Sequence, residues 1–299
     1  MNTQHGVLVI GNTNVDIVMG SISKWPEVGT ETMLPRSDFR AGGSAGNTVL
    51  VLRTLDQPTC LISAFGNDDL GRWLAGKFED DRAYCAVIDA PTCYSVGLLH
   101  GNKERTFFSS VGHLDSLSYA HVSAAIEKSG MEGGIALLSG AFTTPVLRTD
   151  YSRLISELHE AGWQVAIDPG WPTEGWTSSV VSEVEQWFAV CDHVLINDKE
   201  AMALAGTDEL ASALAHIEQM MPKGAQLVVK CGADGAMACK EQSMFIARAP
   251  QVDAFDTVGA GDAFNAGYIA GVLRGSSLQT VLDLGVSTAS QRICEFPRA

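Results

Sequence analysis

Near its C-terminal end the chain reads Asp256-Thr257-Val258-Gly259-Ala260-Gly261-Asp262-Ala263-Phe264, in which two glycines flank an alanine and a carboxylate follows. The continuation to Leu273 contains almost no polar residue. This pattern predicts a glycine-rich loop that opens directly into a buried helix. The free N–H groups and the positive dipole end of such a helix start bind anions. An acid at the same spot predicts that Asp262 takes part in the chemistry of the bound anion.

Length and composition bound the class of protein. The 299 residues, 46% apolar and 18% charged, predict a single α/β domain over 1–299. The formal net charge of −15 argues against nucleic acids and anionic membranes as partners. The seven cysteines, an odd number without a Cys-x-x-Cys pair, are typical of reduced thiols. Without a signal peptide or a membrane-spanning apolar run, we expect a cytoplasmic protein.

Short apolar runs predict the strands of one sheet. The runs are Val7–Ile10, Ile135–Gly140, Gln164–Asp168, His193–Ile196 and Leu227–Lys230. Helical spacing between them, as over Leu147–Ala161, implies right-handed crossovers and a mostly parallel central sheet. Two segments, about 12–40 and 94–111, instead alternate with turn signals and predict a small β-layer inserted into the domain.

Polar residues follow several of these strands. Asn14 and Asp16 come after the first strand, and Asn197 and Glu200 stand three apart at a helix start. In a parallel sheet such strand ends converge on one edge, where ligands bind. Purely structural roles remain open here: an Asx-rich turn for the first pair and a capping box for the second. A second glycine-rich helix entry, Gly42 to Asn47, has the same two interpretations.

These features together favour phosphoryl transfer, which needs positioned phosphates, charge neutralisation and a group that accepts the proton of the nucleophile. Asp262 fits the base, and we expect the helix start to lower its pKa and keep it ionised. Two motifs are absent from the sequence: a Gly-x-x-x-x-Gly-Lys-Ser/Thr loop and a Gly-x-Gly-x-x-Gly after the first strand. Their absence counts against P-loop kinases and dinucleotide-binding dehydrogenases.

Three motifs give the chain a family resemblance. Asp256–Asp262 resembles the C-terminal signature of the ribokinase-like (PfkB) carbohydrate kinases, Gly42-Gly43 with Asn47 resembles their N-terminal signature, and Asn197-x-x-Glu200 resembles their metal and phosphate motif. The motifs stand in the family order and extend the resemblance over nearly the whole chain. The resemblance implies a ribokinase-like three-layer α/β/α fold with a central, mostly parallel sheet and a small β-sheet lid.

The resemblance also implies a role for each site residue. Asp262 would be the base, and the anion hole would comprise the N–H groups of Gly259, Ala260, Gly261 and Asp262. Mg²⁺ would be positioned around the ATP phosphates by Asn197 and Glu200. The nucleotide would pass along Lys230, Gly232 and Gly235. The sugar would be held by Asn14, Asp16, Gly42, Gly43 and Asn47.

Several points stay open at this stage. The acceptor could be a sugar, a sugar acid or a nucleoside, and Arg105 favours an anionic group if it faces the pocket. A non-catalytic sugar or nucleotide sensor is the alternative, although such a protein would not need Asp262 together with Asn197 and Glu200. The resemblance implies a homodimer through the lid. It also makes a monovalent-cation site near Asp256 possible, but this site is doubtful because the glycine-rich C-terminal segment that such sites use is absent from the sequence.

Overall fold

The computed structural model describes residues 6–79, 83–101, 105–241 and 243–295. The strands are β1 (Gly6–Gly11), β2 (Asn14–Ile22), β3 (Arg36–Gly42), β4 (Thr59–Ile62), β5 (Ala64–Gly66), β6 (Ala86–Ile88), β7 (Tyr94–His100), β8 (Arg105–Ser109), β9 (Gly134–Ser139), β10 (Trp163–Asp168), β11 (His193–Asn197), β12 (Gln226–Lys230), β13 (Ala236–Lys240) and β14 (Ser243–Ala247). The helices are α1 (Ser44–Thr54), α2 (Asp69–Gly76), α3 (Tyr119–Ser129), α4 (Pro145–Arg148), α5 (Tyr151–Glu160), α6 (Ser178–Phe188), α7 (Asp198–Ala205), α8 (Leu210–Met220), α9 (Ala260–Leu273) and α10 (Leu278–Arg292).

The largest sheet has eight strands in the order β14-β13-β12-β11-β10-β9-β1-β4. Six of them, from β4 to β12, run parallel, β13 pairs antiparallel with β12, and β14 pairs antiparallel with β13. Alternate side chains of β1 enter different cores: Leu8 packs with helices α3 to α8, and Val9 packs with α1, α2, α9 and α10. Apolar residues on both strand faces therefore build the predicted three layers.

The lid is a separate four-stranded sheet in the order β3-β2-β7-β8. Its strands lie in the two segments predicted from the sequence, about 12–40 and 94–111, except that β3 continues to Gly42. Strand β2 pairs in parallel with β7, which joins the two segments into one sheet. The small β-sheet lid is therefore confirmed, whereas Asn102, in the predicted turn between β7 and β8, lies outside the described residues.

The helix predicted over Leu147–Ala161 is interrupted. The short helix α4 ends at Arg148, and a second helix, α5, begins at Tyr151 with Asp150 as its N-cap. The predicted apolar face of this segment is confirmed, because Leu154, Ile155 and Leu158 are buried. Among the described helices, none combines the length and the apolar character needed to cross a bilayer.

Candidate active site

The loop before α9 has the form that its glycines predict. Gly259 adopts φ 75°, in the left-handed region that favours glycine, and α9 begins at the next residue. The first-turn N–H groups of Gly261 and Asp262 have no acceptor within a helix and can bind an anion. The N–H of Ala260 instead donates to the carbonyl of Thr257 at 3.3 Å. That member of the predicted anion hole is therefore engaged within its own loop.

Asp262 lies half-buried at the start of α9, where Nδ2 of Asn47 donates to its Oδ2 at 2.9 Å. Burial raises its pKa to about 7, and the carboxylate of Asp168 raises it further against the lowering effects of Asn47 and Lys230. The expectation of a lowered pKa is wrong, because burial and the negative charge of Asp168 raise the pKa instead. A carboxyl group with a pKa near neutral pH can take up and release a proton there, which is what a general base requires.

The ammonium group of Lys230, whose side chain is 13% exposed, lies beneath the first turn of α9. Nζ of Lys230 donates to Oδ2 of Asp168 at 2.7 Å, and Nδ2 of Asn265 donates to the same oxygen at 2.6 Å. A Cβ on Gly261 would lie 3.5 Å from this Nζ. Burial lowers the pKa of Lys230, but Asp168, Glu200 and other carboxylates raise it above its usual value. Lys230 therefore stays charged below the predicted anion site.

Sequence reasoning did not assign Asp168 or Asn265 to the site. Asp168 ends β10, so its place at a strand end was a usable signal. Asn265 gave no comparable signal, because it lies inside an apolar helix. Its amide reaches Asp168 only once α9 packs on the sheet.

Asn197 and Glu200 cap helix α7 reciprocally. The N–H of Glu200 donates to Oδ1 of Asn197 at 2.8 Å, and the N–H of Asn197 donates to Oε2 of Glu200 at 2.9 Å. The capping-box interpretation is therefore confirmed. Burial raises the pKa of Glu200 to about 7, and the negative charge of Asp168 raises it further. Within the described ranges no group of three His, Cys, Asp or Glu side chains is arranged to hold a metal directly.

At the other end of the edge, Nδ2 of Asn14 donates to Oδ1 of Asp16 at 2.7 Å. A Cβ on Gly42 would lie 2.3 Å from the carboxyl carbon of Asp16. Gly43 has φ 84°, and a Cβ there would lie 2.5 Å from the carbonyl oxygen of Asn12. The glycine pair is thus required by the packing of the protein itself. Burial raises the pKa of Asp16 to about 6, although Arg40 and Asn14 lower it.

The remaining predicted residues separate into two kinds. Gly232, with φ 56°, has open space where a Cβ would stand, so a ligand can approach its backbone. A Cβ on Gly235 would instead lie 2.0 Å from the carbonyl oxygen of Ala247. Arg105 is exposed on the lid, and its Nη1 donates to Oγ1 of Thr257 at 2.6 Å. It reaches the loop that precedes α9.

Comparison with known proteins identifies the family of the chain. The profile of the pfkB family carbohydrate kinases matches residues 4–296, and the chain belongs to this family. Carbohydrate kinases of this family are phosphotransferases that act on a sugar. The ribokinase-like fold and the enzyme class expected from the three motifs are thereby confirmed.

Individual relatives are distant. A nucleoside kinase of Methanothermobacter thermautotrophicus is 25% identical over 286 residues, which cover 94% of this chain and 86% of the relative. The adenosine kinase of Sinorhizobium meliloti has a similar structure, with a TM-score of 0.84, 21% identity, and 99% and 96% of the two chains covered. Ribokinase of Arabidopsis thaliana, solved with ribose and ATP, gives a TM-score of 0.77 at 21% identity, covering 98% and 93%.

Proposed function

We propose that the chain transfers the γ-phosphoryl group of ATP to a hydroxyl group of an uncharged sugar or nucleoside, with Asp262 as the base. The contact of 2.9 Å between Nδ2 of Asn47 and Oδ2 of Asp262 carries this proposal. It joins the N-terminal signature, proposed to hold the acceptor, to the acid at the helix start. ATP as donor is supported by the related ribokinase that was solved with ribose and ATP.

In this mechanism the acceptor oxygen attacks the γ-phosphorus, the bond from this phosphorus to the bridging oxygen of ADP breaks, and the acceptor proton passes to Asp262. With a pKa of about 7, Asp262 can take this proton near neutral pH. The N–H groups of Gly261 and Asp262 would donate to the oxygens of the transferring group, and Lys230 beneath them would offset its charge.

Mg²⁺, when bound, would neutralise charge on the β- and γ-phosphates. Mg²⁺ keeps several of its waters in proteins, so the capped pair Asn197 and Glu200 fits a role in holding those waters. The open backbone at Gly232 supports a nucleotide beside this loop, which Gly235 shapes.

A protein cation already lies near Asp256, since Nη2 of Arg40 is 2.9 Å from its Oδ2. This ion pair supports a kinase that does not depend on potassium.

The charges around the site favour an uncharged acceptor. Lys230 is paired with Asp168, and Nη1 of Arg105 donates to Oγ1 of Thr257. Asp16 is itself an acid at the proposed acceptor position. An anionic group of the acceptor placed against this carboxylate would be repelled, whereas hydroxyl groups can donate to it. The related nucleoside kinase keeps a nucleoside among the uncharged candidates.

The lid surface and the cysteines support two further parts of the proposal. Large apolar side chains of the lid segments are exposed, including Trp25, Phe39 and Phe108, which supports a homodimer through the lid. All seven cysteines are free, which supports a reducing cytoplasmic location. Light scattering of the protein with Phe108→Lys tests the dimer, because this charge should lower the measured mass if the lid is the interface.

The function is tested by ADP release from Mg-ATP over a panel of uncharged sugars, nucleosides, sugar acids and sugar phosphates. We expect turnover with an uncharged member and little with the anionic ones. Preferred turnover of an anionic member would overturn the proposed preference for an uncharged acceptor but would support the proposal that the protein is a kinase. Absence of turnover with every member would instead support the sensor alternative.

A further inference from the structure

Strand β3 of the lid places two arginines against the loop that precedes α9. Arg36 and Arg40 lie four residues apart on one strand and therefore on one face. The guanidinium of Arg36 stacks on the ring of Phe255, 3.8 Å from its centroid. Nη2 of Arg40 lies 2.9 Å from Oδ2 of Asp256, and both residues are about 95% buried (5% and 4% exposed).

Asp256 connects Arg40 to the start of the anion site through its second carboxylate oxygen. Its second oxygen, Oδ1, accepts from the N–H of Val258 at 2.9 Å. Its own N–H donates to the carbonyl of Ile293 at 3.2 Å, which ties the loop to the end of α10. Val258 immediately precedes Gly259, where the chain turns into α9. One carboxylate therefore connects the lid to the backbone that orients the proposed phosphate donors.

Arg40 also faces the acceptor end of the site. It is the register partner of Asp16 in the β2–β3 ladder, and its charge lowers the pKa of that acid. Asp256 raises the same pKa, because the negative charges of the two acids repel each other. The buried guanidinium of Arg40 thus interacts with both the acid proposed to bind the acceptor and the acid that shapes the phosphate loop, and Nη2 of Arg36 lies 3.5 Å from the same Oδ2 of Asp256.

We propose that Arg40 is a positioning residue that couples acceptor binding at Asp16 to the geometry of the anion site through Asp256 and Val258. This inference rests on the proposed function. Movement of Asp16 or of the lid would reach Gly261 and Asp262 through the buried ion pair of Arg40 with Asp256. Loss of the Arg40 guanidinium would remove the charge that offsets the repulsion between Asp16 and Asp256 and would leave Asp256 with the longer contact to Arg36.

The contact is ionic rather than directional. In the part of the chain that the structure describes, Nη2 of Arg40 has no acceptor of good hydrogen-bond geometry. Charge therefore holds the pair together. A lysine should keep part of the coupling, whereas a glutamine of similar length should not.

Hydrogen exchange of the loop amides tests the coupling without any substrate. We compare Arg40→Gln, Arg40→Lys and Arg148→Gln, the last removing a similarly shielded arginine that pairs with Glu174 and Glu183. We expect peptides over 255–262 to exchange about tenfold faster in Arg40→Gln, since local opening controls this rate. The lysine variant should lie between that and the wild type, and the Arg148 variant should leave these peptides unchanged.

A second variant covers the case in which Arg40→Gln does not fold. Asp256→Asn keeps the acceptor for the N–H of Val258 but removes the charge, so it should speed exchange of the same peptides. With the acceptor found in the ADP-release panel, Arg40→Gln should lower kcat about 100-fold, the scale of losing one oxyanion donor. The lysine variant should regain about tenfold of this loss.

Wild-type exchange over 255–262 in both charge-removing variants would overturn the coupling, whatever the panel shows. Exchange that rises equally in the Arg148 variant would also overturn it, because the effect would then be general destabilisation. Failure of the wild type to release ADP would overturn the proposed function and leave the exchange result intact. The two failures are thereby distinguishable.

Discussion

The same strands and the same helix carry two buried polar clusters of opposite character. Where β10, β11 and β12 begin, the hydroxyl of Tyr268 lies 3.0 Å from Nδ1 of His193 and donates to Gln226 at 2.6 Å. Where these strands end, Asp168, Glu200 and Asp262 surround the single ammonium of Lys230. We call the first the neutral network and the second the charged cluster.

The pKa values of the titratable groups differ between the two clusters. Burial lowers the pKa of His193 to about 4, so the neutral network is uncharged at neutral pH. Burial raises the pKa of Asp262 and of Glu200 to about 7, which leaves both acids poised between two protonation states. Such perturbed acids are typical of catalytic sites, whereas a satisfied neutral network is typical of a core. The difference supports the proposal that the chemistry takes place at one end of α9 and that the other end contributes stability.

The largest expected effect comes from removing the base of the charged cluster. Asp262→Asn should lower kcat about 1000-fold, within the range for general bases, while ATP binding measured by calorimetry stays nearly unchanged. Asp283→Asn, on the exposed side of α10, is the matched control and should keep full activity. Turnover by Asp262→Asn near the wild-type rate would remove Asp262 from the mechanism and break the comparison.

A smaller effect is expected at the capped acid of the charged cluster. Glu200→Gln keeps an oxygen that can accept from the N–H of Asn197 but loses the negative charge. We expect the Mg²⁺ concentration for half-maximal activity to rise about tenfold, as when an outer-sphere ligand is lost. An unchanged Mg²⁺ titration would reduce Glu200 to a helix cap and leave Mg²⁺ without this partner.

The neutral network should respond in stability alone. Tyr268→Phe removes the hydroxyl between His193 and Gln226 and leaves buried polar groups unsatisfied. The free energy of unfolding should fall by about 1–2 kcal/mol, with kcat/KM unchanged within about twofold. Urea denaturation and steady-state kinetics measure the two quantities. A large loss of kcat/KM in the folded variant would show that the two ends of α9 are coupled.

The smallest expected effect concerns stability: the contributions of Asp262 and His193 to the free energy of unfolding should change with pH in opposite directions. The pKa of Asp262 rises on folding from 3.8 to about 7, so its contribution to stability falls as pH rises through that window. The pKa of His193 falls on folding from 6.5 to about 4, so its contribution falls as pH drops through that window. Asp262→Asn should therefore gain stability relative to the wild type between pH 5 and pH 8. A difference independent of pH in urea denaturation would contradict the raised pKa of Asp262.

The sequence predicted most of the fold, because strand and helix patterns are local. The parallel strands, both lid segments and the buried helix after Gly259 follow from runs of apolar residues and from glycines. The interruption at Asp150 was missed, since the apolar spacing continues across it. Asp168 was visible as a strand-end acid, but nothing local linked it to Lys230, which is 62 residues away.

The sequence by itself determined which groups could do chemistry. The loop from Asp256 to Asp262, the capped pair Asn197 and Glu200, and the glycine pair before α1 are local motifs whose residue types imply their roles. Only the tertiary structure decided how these groups interact. The pKa of Asp262, the ammonium beneath Gly261 and the ion pair from Arg40 to Asp256 depend on burial and on distances between remote residues, and electrostatic energies follow distance in space rather than position in the chain.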